Sequence, residues 1–266
     1  MTEQGRPDPK PAHVVAVTNQ KGGVGKTTTA INLATSIALS GRRVLLIDVD
    51  PQANLTSGVG LKGEKADPGT IYEALMSDEE PESFVLPTKV ENLFIIPADR
   101  SLTGAEIELV SMLAREQRLK RIVDALRSRF DDILIDCPPS LGLLTLNALV
   151  AADAVLIPLH CEYFALEGLA DLVGTMRRVR TALNPSLDIE GVLLTMYDDR
   201  TNLGQLVARD VREFFKDKVF NTIIPRNVRL AEAPSHGVPA VLYDVKSRGA
   251  AAYVALAKEM LARRAA

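Results

Sequence analysis

The stretch QKGGVGKTT (20–28) most constrains what this chain can fold into. Before it stands HVVAVTN (13–19), a short, nearly unbroken apolar run that reads as a buried strand. After it, KTTTAINLATSIALS (26–40) reads as a helix that stops at Gly41. A strand, a glycine-rich turn and a helix opening on Lys-Thr form a phosphate cradle. The glycines let backbone N–H groups curl around an anion, and the helix N-terminus adds partial positive charge. Residues Lys21, Gly22, Gly23, Val24, Gly25, Lys26, Thr27 and Thr28 are therefore the candidate nucleotide loop. Lys26 can reach the outer phosphates, and the hydroxyl of Thr27 can ligate Mg²⁺. The alternative is a glycine-rich turn with no ligand; strand, glycines, Lys-Thr and helix all in register argue against it.

The same logic extends along the chain. RRVLLIDVD (42–50), NLFIIPA (92–98), DDILIDCP (131–138), DAVLIPLH (153–160), IEGVLLTMY (189–197) and VFNTIIP (219–225) also read as strands buried on both faces. Helical stretches are expected over about 103–129, 165–183, 203–217 and 248–264. This alternation predicts an α/β fold: a doubly wound, mostly parallel sheet with helices on both faces. No internal linker or repeat is evident, so a single domain over 13–266 is expected, preceded by a flexible tail over 1–12.

Two strands end in carboxylates. Asp48 and Asp50 close the second, and alternation points both toward the carboxyl end of the sheet, where open α/β folds bind ligands. ILIDCPPS carries Asp136 behind three apolar residues, the pattern that serves Mg²⁺ through water. Loop solvation or helix capping is the plainer reading of Asp48 and Asp50; the upstream loop weighs against it.

Composition narrows the rest. The 266 residues are 47% apolar, with a net charge of −3, so any nucleic-acid site is a local patch. No apolar run approaches the about 20 residues of a membrane span, and the start does not read as a signal peptide. The two cysteines, Cys137 and Cys161, are expected to be reduced and structural, as in a cytoplasmic protein.

One feature of the loop departs from the usual pattern. The glycine expected six residues before Lys26 is Gln20, and a second lysine, Lys21, follows it. With KGGVGKTT, DVDPQAN, ILIDCPPS, CEYFALEGL (161–169) and IIPRN (223–227), the chain resembles the ParA/MinD group of deviant phosphate-loop ATPases, and among them the ParA/Soj partitioning ATPases, from about Val14 to Leu261. The resemblance implies ATP and Mg²⁺ as ligands and an ATP-bound homodimer in which Lys21 acts on the partner's nucleotide while Lys26 acts on its own. It implies that Asp50 positions or activates the attacking water, that Asp48 supports the Mg²⁺ shell, and that Pro225, Arg226 and Asn227 lie on the base side. It also implies non-specific double-stranded DNA binding through Arg200 and Arg229, with Lys246 and Arg248 as further candidates. A ParB-like partner would stimulate hydrolysis and release the DNA, driving chromosome or plasmid segregation on the nucleoid. Glu162 lies in a matching segment, but chemistry alone gives it no role.

Three rival readings stand beside this one. A membrane-bound MinD-like protein would end in an amphipathic anchor, whereas AAYVALAKEMLARRAA suits packing on the sheet. A chain bearing an iron–sulfur cluster needs a thiolate set that Cys137 and Cys161 do not form. A nucleotide-gated regulator acting on replication initiation or on other cargo is compatible with every motif. No helix-turn-helix is expected ahead of the ATPase region.

Overall fold

The computed structural model describes residues 11–63, 66–162, 165–198 and 200–265. Most of the expected tail, residues 1–10, lies outside them. Ala12, placed in that tail by the sequence, is buried, and its N–H donates to the Arg127 carbonyl at 2.9 Å.

Eight strands form one sheet in the order β3-β4-β2-β5-β1-β6-β7-β8. They are β1 (His13–Val17), β2 (Val44–Asp48), β3 (Leu86–Pro87), β4 (Leu93–Ile96), β5 (Asp132–Asp136), β6 (Ala154–His160), β7 (Asp188–Tyr197) and β8 (Ile224–Pro225). All pairs are parallel except β3 with β4 at one edge. The helices are α1 (Lys26–Ala38), α2 (Asn54–Gly58), α3 (Ile71–Met76), α4 (Leu102–Glu108), α5 (Arg118–Leu126), α6 (Leu143–Ala151), α7 (Ala165–Ala182), α8 (Asn202–Phe215), α9 (Val228–Glu232), α10 (Ala240–Tyr243) and α11 (Arg248–Ala265).

Strand alternation divides the core. Val14 and Ala16 of β1 join the apolar cluster beneath α4 to α8, while Val15 and Val17 join the one beneath α1 and α11. Both faces are covered, which explains why the strands read as unbroken apolar runs. β1 lies mid-sheet between β5 and β6, so the loop leaving its carboxyl end opens where the chain departs to both sides.

Two expectations are corrected, and one helix is added. The strand expected over 219–225 pairs as a strand only at Ile224–Pro225, with Val219 making an isolated bridge to Val192. The helix expected over 103–129 breaks between α4 and α5, where Ala114 takes a left-handed φ of 52°. Helix α6 was not anticipated: LLTLNALVA is apolar nearly all round, so it carries no amphipathic stripe.

At the amino end of the sheet, charged groups tie α11 down. Arg264 donates to Glu190 at 2.6 Å and to the buried Asp132 at 2.7 Å. Tyr253, Leu256, Ala257 and Met260 of α11 are buried, as the sequence reading of this end expects. Among the described residues no helix is long and apolar enough to cross a membrane.

Candidate functional site

The loop after β1 ends on Gly25 at φ 89°, which caps α1 with no side-chain bond. The first amides of α1 are thus left without a side-chain acceptor, and no acidic residue sits in the first turn. Gly23 has φ 73°, a backbone that favours glycine, and a Cβ built there meets nothing within 4 Å.

Three contacts hold the loop from outside it. Thr195 of β7 donates its hydroxyl to the Val24 carbonyl at 2.8 Å. Asn19 accepts the Lys21 N–H at 3.0 Å and donates its amide to the Pro158 carbonyl at 2.8 Å. Sequence reasoning named neither residue: their partners lie on distant strands, and no local motif marks them.

The two lysines differ. Lys26 is buried and donates from Nζ to the Lys21 carbonyl at 3.1 Å, folding back over its own loop. Burial lowers its pKa, partly offset by the charges of Asp136 and Asp50. The Lys21 side chain is 33% exposed at the rim and ion-paired with Glu162. The other oxygen of Glu162 lies 2.8 Å from Nδ1 of His160. The hydrogen bond from Lys21 holds the Glu162 carboxyl below its ordinary range. Glu162 thereby gains a partner that the sequence could not supply.

Asp48 and Asp136 are register partners at the carboxyl ends of β2 and β5, yet their surroundings contrast. Asp48 accepts from the Thr56 N–H at 2.9 Å, the Thr56 hydroxyl at 2.7 Å and the Asp50 N–H at 3.2 Å. Burial nonetheless pushes it up to about 6. Asp136 is fully buried, and neither of its oxygens has a hydrogen-bond partner of good geometry. Burial, then the Asp48 charge, raise it well above the carboxylate range, and the nearby Thr27 hydroxyl offsets this only in part. Two orphaned oxygens beside a threonine hydroxyl and a second carboxylate are a donor set that fits Mg²⁺. Among the described residues no group of three or more His, Cys, Asp or Glu forms a metal cage, so such a cation would complete its shell with phosphate and water. Asp50, also buried, accepts from the Gln52 N–H at 2.9 Å. Cys137 is buried and its thiol is pushed up by that burial, which suits packing and not nucleophilic chemistry.

The remaining sequence candidates lie along one strip. Pro225 pairs with Tyr197 at the edge of the sheet, Arg226 is exposed, and Asn227 caps α9 by accepting the Arg229 N–H at 2.9 Å. Arg200 chelates Asp198, with bonds of 2.8 and 2.6 Å, and the Arg226 charge also acts on Asp198. Arg229 pairs with Glu232 at 2.8 Å and Asp244 at 3.3 Å. Lys246 and Arg248 are exposed at the start of α11, which packs against α9 where Gly249 meets Leu230. The structure thus gathers Arg226, Arg229, Lys246 and Arg248 on neighbouring segments, with acidic groups close to Arg226 and Arg229.

The segment after α2 and the segment after α9 meet through bare backbone at one point. A Cβ on Gly60, just after α2, would fall 2.8 Å from the Gly237 carbonyl oxygen. A Cβ on Gly237 would fall 2.8 Å from the Gly60 Cα. Both glycines have positive φ, 92° and 63°.

Fold and site together define a phosphate-loop NTPase of the deviant kind, with a second lysine at the head of the loop. The AAA domain family pattern matches residues 12–189. The chain is 58% identical over 250 residues to the sporulation initiation inhibitor protein Soj of Bacillus subtilis, covering 94% of this chain and 98% of that one. It is 54% identical over 250 residues to the chromosome partitioning protein ParA of Myxococcus xanthus, covering 94% and 88%. Among solved structures, one called cobyrinic acid a,c-diamide synthase from Mycobacterium smegmatis, with bound ADP and magnesium, superposes with a TM-score of 0.81 at 39% identity, covering 94% of each chain. The chain belongs to the ParA/Soj family of partitioning ATPases.

Proposed function

We propose that this chain binds ATP with Mg²⁺ as a single ATPase domain, and that two loaded copies then close face to face. Lys21 of each copy reaches the partner's phosphates, while Lys26 and the loop amides hold the chain's own. Thr27 and Asp136, with Asp48 beside them, would hold Mg²⁺, which would neutralise phosphate charge there. Asp50 orients the attacking water. Lys21 carries this reading: it stands at the rim, one-third exposed, whereas Lys26 is already buried in the loop. A cation at the rim completes a site only when a second subunit arrives, as an arginine finger does elsewhere.

Closure doubles the strip formed by Arg200, Arg229, Lys246 and Arg248. A few phosphate contacts per copy bind weakly; two linked copies bind far more tightly. Random-sequence duplex is therefore held in the ATP state on the nucleoid of the cytoplasm. A ParB-like partner accelerates hydrolysis and returns the chain to free monomers. Pro225, Arg226 and Asn227 flank the base. The partitioning reading is favoured over that of the solved synthase because the chain is identical to Soj at 58% of the aligned residues and to that neighbour at 39%. The test is binding to random-sequence duplex at fixed moderate salt with ATP, with ADP and without nucleotide. Binding confined to ATP supports the cycle, and equal binding or none in all three states overturns its DNA step.

A further inference from the structure

The Asp48 carboxylate owes its orientation to one hydroxyl. In this chain the helical hydroxyls of Thr35, Ser36 and Thr181 each donate back to the carbonyl four residues earlier, the habit of Ser and Thr inside helices. Thr56 in α2 does otherwise. Its hydroxyl donates to Asp48 at 2.7 Å and accepts the Ala98 N–H, from beyond the end of β4, at 2.9 Å. A threonine hydroxyl has one proton. With the Ala98 amide as obligatory donor, that proton has to go to Asp48. Thr56 is 6% exposed, so water does not readily substitute for either bond.

The consequence falls on the neighbouring strand. Three donors occupy Asp48, two of them from Thr56, while Asp136 beside it has only the nearby Thr27 hydroxyl and no bond of good geometry to either oxygen. Two buried carboxylates in register repel. Fixing one of them leaves the other as the open acceptor toward a cation.

We propose that Thr56 is a positioning residue for the Mg²⁺ site: anchored by Ala98, its hydroxyl pins Asp48, so that Asp136, beside the Thr27 hydroxyl, is the carboxylate left open to the cation. This rests on the Mg²⁺–ATP reading above. Outer partners of this kind are worth roughly 10- to 100-fold in metal affinity or activity.

The experiment compares the wild type with Thr56→Val, Thr56→Ala and Thr56→Ser. Equilibrium binding of a fluorescent ATP analogue is titrated with Mg²⁺, turnover is measured in parallel, and exchange of the Ala98 amide proton is followed in the metal-free protein. The expected result is a Mg²⁺ midpoint raised roughly tenfold or more in the Val and Ala variants. Faster Ala98 exchange should accompany it, and Thr56→Ser should restore the wild-type midpoint. Val and Ala variants that melt lower but keep the wild-type midpoint would make Thr56 merely structural and overturn the proposal. Thr56→Ala serves where the valine variant does not fold. Wild-type nucleotide binding indifferent to Mg²⁺ overturns the Mg²⁺ reading itself and the proposal with it, a result distinct from a variant-specific failure.

Discussion

The ammonium of Lys21 is paired within its own chain with Glu162, which His160 braces from the other side. A lysine that has to cross to another subunit must first leave this partner. Exposed ion pairs are worth at most about 1 kcal/mol, so the pair is a weak hold. Glu162→Gln should lower the protein concentration needed for ATP-dependent dimers by roughly two- to fivefold, read by light scattering. An unchanged midpoint would mean that the pair imposes no restraint.

Lys21→Ala should separate two properties. Its loop amides and Lys26 remain, so nucleotide affinity should stay within a few-fold of wild type. Dimers with ATP, and turnover, should be lost. Normal ATP-dependent dimers by light scattering would remove Lys21 from the subunit interface.

Asp136 gives a prediction in pH. Its pKa is raised in the fold, so the folded state holds a proton that the unfolded state releases. The ionised form therefore costs stability at high pH; the cost declines as pH falls below the folded pKa and is gone below the unfolded one. Asp136→Asn removes the charge. The nucleotide-free variant should melt a few degrees above wild type at pH 7.5, about 2–4 °C per kcal/mol relieved. That advantage should shrink toward pH 5, and turnover should be lost. Calorimetry at the two pH values is the measurement; an equal difference at both would show that the carboxylate charge is not the cause.

Thr195 supports the loop from a strand far along the sequence. Thr195→Val keeps the shape but leaves the Val24 carbonyl without its donor, at a cost of about 1–3 kcal/mol. Nucleotide affinity should fall several-fold, with the dimer and DNA steps intact at saturating ATP. Isothermal titration would test this, and unchanged affinity would make the contact incidental.

On the basic strip, Arg229→Ala should weaken ATP-state DNA binding and reduce the slope of log affinity against log salt by about 0.9 for each phosphate that the arginine no longer neutralises. Arg229→Glu should weaken it further. A salt slope equal to wild type in the alanine variant would take Arg229 off the DNA surface. The intrachain partners Glu232 and Asp244 already neutralise this arginine in part, so the effect should be modest.

The loop, its flanking strand and helix, and the strand-end carboxylates were legible because each is local: glycines, Lys-Thr and Asp behind apolar runs carry their chemistry in consecutive residues. Thr195 and Glu162 were not legible as partners of the loop. They meet it across 171 and 141 residues of chain, and only the sheet brings them there. The contrast between Asp48 and Asp136 was hidden for the same reason, since identical side chains at identical strand ends differ only in which amides and hydroxyls surround them. Helix α6 escaped because a helix buried on nearly all sides loses the periodicity by which surface helices are read.

The meeting of Gly60 with Gly237 has a mechanical consequence. Side chains at a contact act as cushions: they change rotamer and absorb small displacements. Here two main chains touch with nothing between them. A shift of α2 would therefore pass at this point directly from main chain to main chain toward the stretch carrying Arg229, beside the apolar packing of Leu55 and Val59 with Leu230 and Ala233. At these two positions the segments meet like teeth without padding, which under the function proposed above would link the chemistry at one to the grip on a ligand at the other.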